Sequence, residues 1–342
     1  MSRILKGIAV DSAAEAQSGA TSPLLQALSD YKVILVLFAI MLLLTFFLAP
    51  VFFAPQNLIN VARQASITGV VATGMTFVVL TSGIDLSVGS ILALVGIIFS
   101  ITINTDVGVP GALAAALLVG TMVGVANGLG TTFFGIQPFI MTLANMAVSS
   151  GIALLISNGT PIHFTSENSL IAVLGNGNIG GVPGPVIVFA VVALVASLVL
   201  RYLPFGRFVY GIGGGLEAAR LSGVRTARVL IIVYAISGFC AAIAGIITTS
   251  RLFVGHPTAG APIMLDSIAA VVIGGTSLMG GKGSILGTVA GVCLLAMVAN
   301  LLNLLGVSPF NQQIAKGAII ILAVLFTAQG LWPRIVQQWH AL

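Results

Sequence analysis

The runs PVIVFAVVALVASLVLR (185–201) and VLIIVYAISGFCAAIAGIITTS (229–250) are apolar almost from end to end, and they flank YLPFGRFVYGIGGGLEAARLSGVRTAR (202–228), which is basic and glycine-rich. A helix of about 20 apolar residues spans the hydrocarbon core of a bilayer. Two such runs joined by an arginine-bearing connection read as a pair of spanning helices with a loop at the membrane face that collects positive charge. The same alternation recurs along the chain. Apolar runs fall at 31–49, 57–80, 88–103, 111–134, 138–157, 185–201, 229–250, 264–281, 284–305 and 311–328, giving ten candidate helices.

Composition agrees. The 342 residues are 58% hydrophobic and 6% charged, with 13 Lys and Arg against 8 Asp and Glu, a formal net charge of +5. A soluble domain carries charge on about a quarter of its residues, so soluble enzymes, nucleic-acid binders and fibrous proteins are excluded. The expected fold class is an all-α integral membrane protein, a polytopic bundle of about ten transmembrane helices, with both termini cytoplasmic. Residues 1–30 lack a signal-peptide pattern and read as a cytoplasmic tail. Residues 31–328 form the transmembrane domain, and 329–342 a second cytoplasmic tail. With the N-terminus inside, Arg3, Lys6, Lys32, Arg201, Arg207, Arg220, Arg225, Arg228, Lys282 and Arg334 fall on the cytoplasmic side, against Arg63, Arg251 and Lys316 outside. That is the positive-inside bias. An even number of spans returns the C-terminus to the cytoplasm, with Trp332, Arg334 and Trp339 at the headgroups.

Two connections exceed a simple turn and lie on opposite sides: 158–184, expected outside and rich in Gly, Pro and Asn, and 202–228, expected inside. Long loops are commonly functional surfaces. Within 202–228, Glu217 to Leu221 has helix-forming composition and Gly223 stops it, giving one short amphipathic helix held off the membrane. Such a helix suits docking of a partner. Its basic flank, Arg220, Arg225 and Arg228, equally suits anionic lipid.

Absences narrow the chemistry. A P-loop around Gly281-Lys282 would need glycine at Thr276 and a hydroxyl residue at Gly283. Gly211, Gly213, Gly214 and Gly215 miss the dinucleotide spacing, because Leu216 holds the third glycine position. His163, His256 and His340 are dispersed, and Cys240 and Cys293 each lie in an apolar run, which argues against a metal site, a disulfide or a catalytic triad. Asn158-Gly159-Thr160 spells a glycosylation acceptor and carries no weight.

Ionised groups in the bilayer centre are costly and face the interior or a wet cavity. Asp85 sits in Thr81-Ser82-Gly83-Ile84-Asp85-Leu86-Ser87, a Gly/Ser-rich break between two apolar runs. It reads either as a hinge or gate at the inner end of a pathway or as a cap on the following helix. VVLTSGIDLSVGSIL (78–92) is echoed by VVIGGTSLMGGKGSIL (271–286), with Lys282 near the position of Asp85. Neutral polar residues inside the spans, Asn127, Gln137, Thr142, Asn145 and Ser149 and then Asn300 and Asn303, read as a polar lane or as hydrogen bonds between helices. Gly120, Gly124 and Gly128 recur every four residues and permit close helix approach. Asp266 reads as a helix-start or interhelical partner.

The runs TSGIDLSVGS (81–90), QPFIMTLANM (137–146), FGRFVYGIGGGLEAARLSGV (205–224) and LDSIAAVVIGGTSLMGGKGSILGT (265–288) resemble, in order, those of the permease subunit of bacterial ATP-driven sugar importers of the ribose type. The similarity runs from about residue 31 to 328. It implies a ten-helix subunit of the inner membrane, two copies (identical or paralogous) forming the pathway for a monosaccharide or polyol, a cytoplasmic ATPase pair that uses the ATP, and an extracytoplasmic sugar-binding protein. No cofactor is bound by the subunit itself, which is not an enzyme. Residues Gly213, Gly214, Glu217, Ala218, Ala219, Arg220, Leu221, Ser222 and Gly223 then resemble the coupling segment that fits the ATPase, while 158–184 and 251–262 would receive the binding protein. Asp85, Ser82, Asn127, Gln137, Asn145, Ser149, Asn300 and Asn303 are the candidate pathway or gate residues. Three positions depart from the family pattern: Gly215 in place of the Asn of GGN, Ser150 where arginine usually precedes the fifth-span glycine, and Met264 where an acid commonly precedes Leu265-Asp266. The rival reading is a secondary transporter coupled to protons or sodium through Asp85 or Asp266.

Overall fold

The computed structural model describes residues 23–327; residues 1–22 of the first tail, and the second tail with Trp332, Arg334 and Trp339, lie outside the described residues. Ten helices stand where the apolar runs are: α1 (Pro23–Leu48), α2 (Pro55–Leu80), α3 (Val88–Ile103), α4 (Gly108–Thr132), α5 (Pro138–Ile156), α7 (Gly184–Tyr202), α10 (Thr226–Leu252), α11 (Ala261–Ile273), α12 (Ile285–Leu304) and α13 (Pro309–Thr327), while the connections hold the shorter α6 (Ser169–Gly175), α8 (Pro204–Gly214) and α9 (Leu216–Leu221). Of the described helices, α2, α4, α5, α7, α10 and α12 are long and apolar enough to cross a membrane on their own. Residues 23–30, expected as tail, open α1. Proline begins α2, α5 and α8, where its missing N–H is one that the helix leaves unpaired anyway.

The apolar run 264–281 does not remain helical. It ends at Ile273 because Gly275 takes φ +85°, and Gly280 and Gly281 are also left-handed; the apolar Leu278 and Met279 fall in a loop. The connection 202–228 is expected to hold one short helix. Most of it is helical: α8 packs Gly206, Val209 and Ile212 inward at helical spacing, and α9 follows after Gly215. In 158–184, Asn168 caps α6, its side chain accepting from the Leu170 N–H. β2 (Asn178–Ile179) and β3 (Val182–Pro183) form a hairpin turning on Gly180 and Gly181, both at positive φ as a tight hairpin turn requires. β1 (Ile162–His163) pairs antiparallel with β4 (Val254–Gly255), which ties this connection to the turn after α10.

The core is built around α2 and α10. α2 is buried almost continuously from Ala65 to Leu80, and α10 packs against α4, α2 and α3. Close approach of α4 to α10 depends on the glycine stripe. A Cβ on Gly128 would lie 2.6 Å from the Ile231 Cα, one on Gly120 2.9 Å from the Gly238 carbonyl oxygen, and one on Gly124 would run into the Tyr234 carbonyl oxygen. Gly124→Val is therefore expected to destabilise the bundle by about 1–3 kcal/mol through overpacking, seen as a lower melting temperature in detergent; an unchanged melting temperature would contradict this packing. By contrast α5 keeps Phe139, Ile140, Leu143, Val148 and Ile152 exposed, an apolar face suited to lipid or another membrane subunit.

Candidate functional site

Chemistry gathers where the helical ladder is interrupted. Between α2 and α3 the chain breaks over residues 81–87, and between α11 and α12 over 274–284. These are the two segments that echo each other in sequence, and they lie face to face. The Gly281 N–H donates to the Leu80 carbonyl at 3.0 Å, and Ser82, itself left-handed at φ +64°, donates its hydroxyl to the Met279 carbonyl at 2.7 Å. Beneath them Thr76 and Thr288 share a buried hydrogen bond of 2.7 Å between α2 and α12. Lys282 does not pair with Asp85: among the described residues the ion pairs are Lys316–Asp266 and Arg220–Glu217.

Asp85 is fully buried beside Ser237, about three turns into α10. Its Oδ1 accepts from the Ser87 N–H at 3.0 Å and the Ser87 hydroxyl at 2.6 Å, closing a turn ahead of α3. Its Oδ2 accepts from the Ser237 hydroxyl at 2.8 Å. Asn127 of α4 donates Nδ2 to the Ser87 hydroxyl oxygen at 2.8 Å, with Asp85 Oδ1 at 3.5 Å, and its own Oδ1 accepts from Asn145 of α5 at 2.6 Å. Thr142 donates to the Ile84 carbonyl at 3.1 Å. The carboxylate thus binds the 81–87 break, α4 and α10 into one unit, with α5 joined through Asn145. The arrangement suits a carboxylate out of water, because each oxygen meets donors.

The other polar candidates do not join this cluster. Asn300 and Asn57 exchange reciprocal amide hydrogen bonds of 2.9 and 3.0 Å between α12 and α2. Ser149 is buried on α5, whereas Gln137 precedes that helix and Asn303 lies in the last turn of α12, both exposed. Asp266 of α11 holds Lys316 of α13 at 2.8 Å, the two about one-fifth exposed. Ser237 and Asn57 escape a reading of the sequence by type alone. The one signal at Ser237 is a hydroxyl beside Gly238 inside an otherwise apolar run.

On the same side as the two breaks, α8 and α9 form a hairpin. α9 ends in a Schellman arrangement: Gly223, at φ +84°, donates to the Arg220 carbonyl and Val224 donates to the Ala219 carbonyl. At its start Gly215 supplies no side-chain cap. Ala219 is buried toward α8 and α10, while Glu217, Ala218, Arg220, Leu221 and Ser222 are exposed, with Leu221 86% open. With Leu216 46% open as well, this six-residue helix leaves two aliphatic side chains uncovered by the chain. Gly213 and Gly214, expected within the loop, close α8, and their surroundings differ. A Cβ on Gly213 would run into the Leu80 carbonyl oxygen and the Gly281 nitrogen, whereas Gly214 faces open space. Tyr210 of α8 adds a hydrogen bond of 2.9 Å to the Gly283 carbonyl. The hairpin therefore rests directly on both breaks, and the 81–87 break leads to the Asp85 cluster.

Residues 57–324 match the family described as branched-chain amino acid transport system, permease component. The ribose import permease protein of Escherichia coli K12 is 45% identical over 81% of this chain and 87% of its own length. That of Bacillus subtilis 168 is 43% identical over 84% and 89%. The xylose transport system permease protein of Escherichia coli K12 is 35% identical over 87% and 91%. A family match over residues 57–324, with relatives up to 45% identical over four-fifths of the sequence, places the chain: it belongs to this family of transport-system permease components.

Proposed function

We propose that the chain is the membrane-spanning permease subunit of an ATP-binding-cassette importer that carries a monosaccharide of the pentose, hexose or polyol class across the bacterial inner membrane. The single observation that carries the coupling part of this reading is the seating of the α8–α9 hairpin on both breaks through Gly213. The ten helices that stand at the apolar runs, with the breaks that extend the shorter ones, are its spans, both termini are cytoplasmic, and the hairpin faces the cytoplasm. A separate ATPase engages the exposed side of α9 and supplies the work of ATP hydrolysis. A second permease copy, identical or paralogous, completes the pathway, and an extracytoplasmic sugar-binding protein docks on 158–184 and 251–262, which the β1–β4 pair joins. The sugar class rests on the ribose and xylose permeases among the relatives.

Movement of α9 is passed through Gly213 to Leu80 and Gly281, and so shifts both breaks together. The Asp85 cluster moves with the first break or loosens from α4 and α10. Neutral groups such as Asn127 and Asn145 exchange partners with sugar hydroxyls at modest cost, which suits a pathway that must release its cargo. The ion-coupled reading finds less support, since Asp85 is enclosed by hydroxyl and amide donors and Asp266 is paired with Lys316.

Charge reversal on α9 tests the proposal. The Glu217–Arg220 pair is 3.9 Å apart, its side chains 74% and 71% exposed, so it adds little to stability. Glu217→Lys or Arg220→Glu is expected to leave insertion unchanged and to lower ATP-driven uptake at least tenfold, a loss of about 1.4 kcal/mol of coupling. Uptake and ATPase stimulation at wild-type rates in both variants would remove α9 from the mechanism.

A further inference from the structure

The corner between α8 and α10 forms an open cavity of about 380 Å³, within the range of small-molecule sites. Phe205 and Phe208 of α8, Val224 of the connection and Ile232 of α10 give it apolar walls, and Arg225 and Arg228 stand at its rim. Both arginines are exposed and neither enters an ion pair among the described residues. No residue of α9 itself lines the cavity, which begins at Gly223 and Val224 of its C-terminal cap. Segment 201–228 holds five arginines and one glutamate, and that glutamate lies beside Arg220. Local positive charge is thus least compensated where the apolar walls are.

We propose that this cavity binds an anionic phospholipid of the inner leaflet, with its phosphate held by the Arg225 and Arg228 guanidinium groups and an acyl chain lying along Phe205, Phe208 and Ile232. Guanidinium groups match phosphate oxygens bidentately, and exposed aromatic and aliphatic walls give no gain to a wholly water-soluble anion. The charge therefore favours a headgroup and the walls favour a chain, which together specify an amphiphile. The two parts of the hairpin have separate occupants: α9 meets the ATPase, and the α8–α10 corner meets lipid. The inference rests on the placement of 202–228 at the inner membrane face.

The test uses the full chain purified in mild detergent, with phosphatidylglycerol retention read by native mass spectrometry and ATPase binding measured on the same samples. Wild type is expected to keep phosphatidylglycerol in preference to phosphatidylcholine. R225Q/R228Q should hold it about thirtyfold less tightly, at about fivefold per guanidinium near an anionic surface, and R220Q should match wild type. R225K/R228K, which keeps the charge and loses the bidentate geometry, should recover only part of the binding. Equal retention in wild type and R225Q/R228Q would overturn the proposal, as would equal loss in R220Q. Displacement by inorganic phosphate as effective as by lipid would make it a free-anion site, and displacement by the ATPase would make it part of the ATPase surface; either result contradicts a lipid site. Failure of the wild type to bind an ATPase at all would instead strike the importer reading.

Discussion

Gly213→Ala is expected to lower ATP-driven uptake at least tenfold, while Gly214→Ala, one residue along the same helix, stays near wild type. The difference comes from what the added methyl meets. At Gly213 it would overlap the Leu80 carbonyl oxygen and the Gly281 nitrogen, with the Gly281 Cα at 3.0 Å; at Gly214 it meets nothing within 4 Å. Backbone atoms cannot rotate aside as a flexible side chain can, so α8 must lift from the two breaks. Overpacking of this kind costs about 1–3 kcal/mol. The Gly281–Leu80 hydrogen bond of 3.0 Å lies at the same contact and lengthens with it. Uptake should fall while the amount of ATPase bound to the chain stays unchanged. Equal uptake in the two variants would show that the hairpin does not act through this junction.

Asp85→Ala has the second large effect. It leaves the Ser87 N–H and the Ser237 hydroxyl without their acceptor in a buried site and removes the anchor near Asn127. An orphaned buried donor costs about 1–3 kcal/mol, so the loss is expected at about 3 kcal/mol or more, read as a lower melting temperature together with lost uptake. Asp85→Asn separates charge from shape. Its Oδ1 still accepts from Ser87, and its amide donates to Ser237, whose hydroxyl oxygen turns to accept, so most of the stability should return. Uptake that persists in the Asn variant assigns Asp85 to closing the turn before α3. Uptake lost from a stable Asn variant assigns its charge to the moving break. A melting temperature unchanged by alanine would contradict the cluster altogether.

Much of the fold was legible because bilayer thickness dictates run length, and ten of the observed helices coincide with apolar runs. Hydropathy misleads at 274–281, where Leu278 and Met279 keep the average high across a break that the pairs Gly274-Gly275 and Gly280-Gly281 mark. α8 was missed for the opposite reason: its arginine and glycines suggest a loop, although Phe205, Val209 and Ile212 already show the helical period. At the site, Asp85, Asn127 and Asn145 were recognisable as polar groups that hydrocarbon would not tolerate alone. Their assembly was not, because Ser237 lies 152 positions from Asp85 and no local pattern encodes such a contact. The echo between 78–92 and 271–286 pointed to related segments, and only the packing brings them together over Gly213. Gly213 and Gly214 are equivalent in sequence and distinct in the fold.

Reconstitution of the full chain in liposomes, with an ATPase recovered by co-purification from native membranes and with a sugar-binding protein on the other side, decides between ATP-driven import and ion-coupled carriage. Labelled monosaccharide is expected to enter only when ATP is available to the ATPase and the binding protein is on the opposite side. Uptake by the chain alone under a proton or sodium gradient, with no ATPase retained on purification, would contradict ATP-driven import.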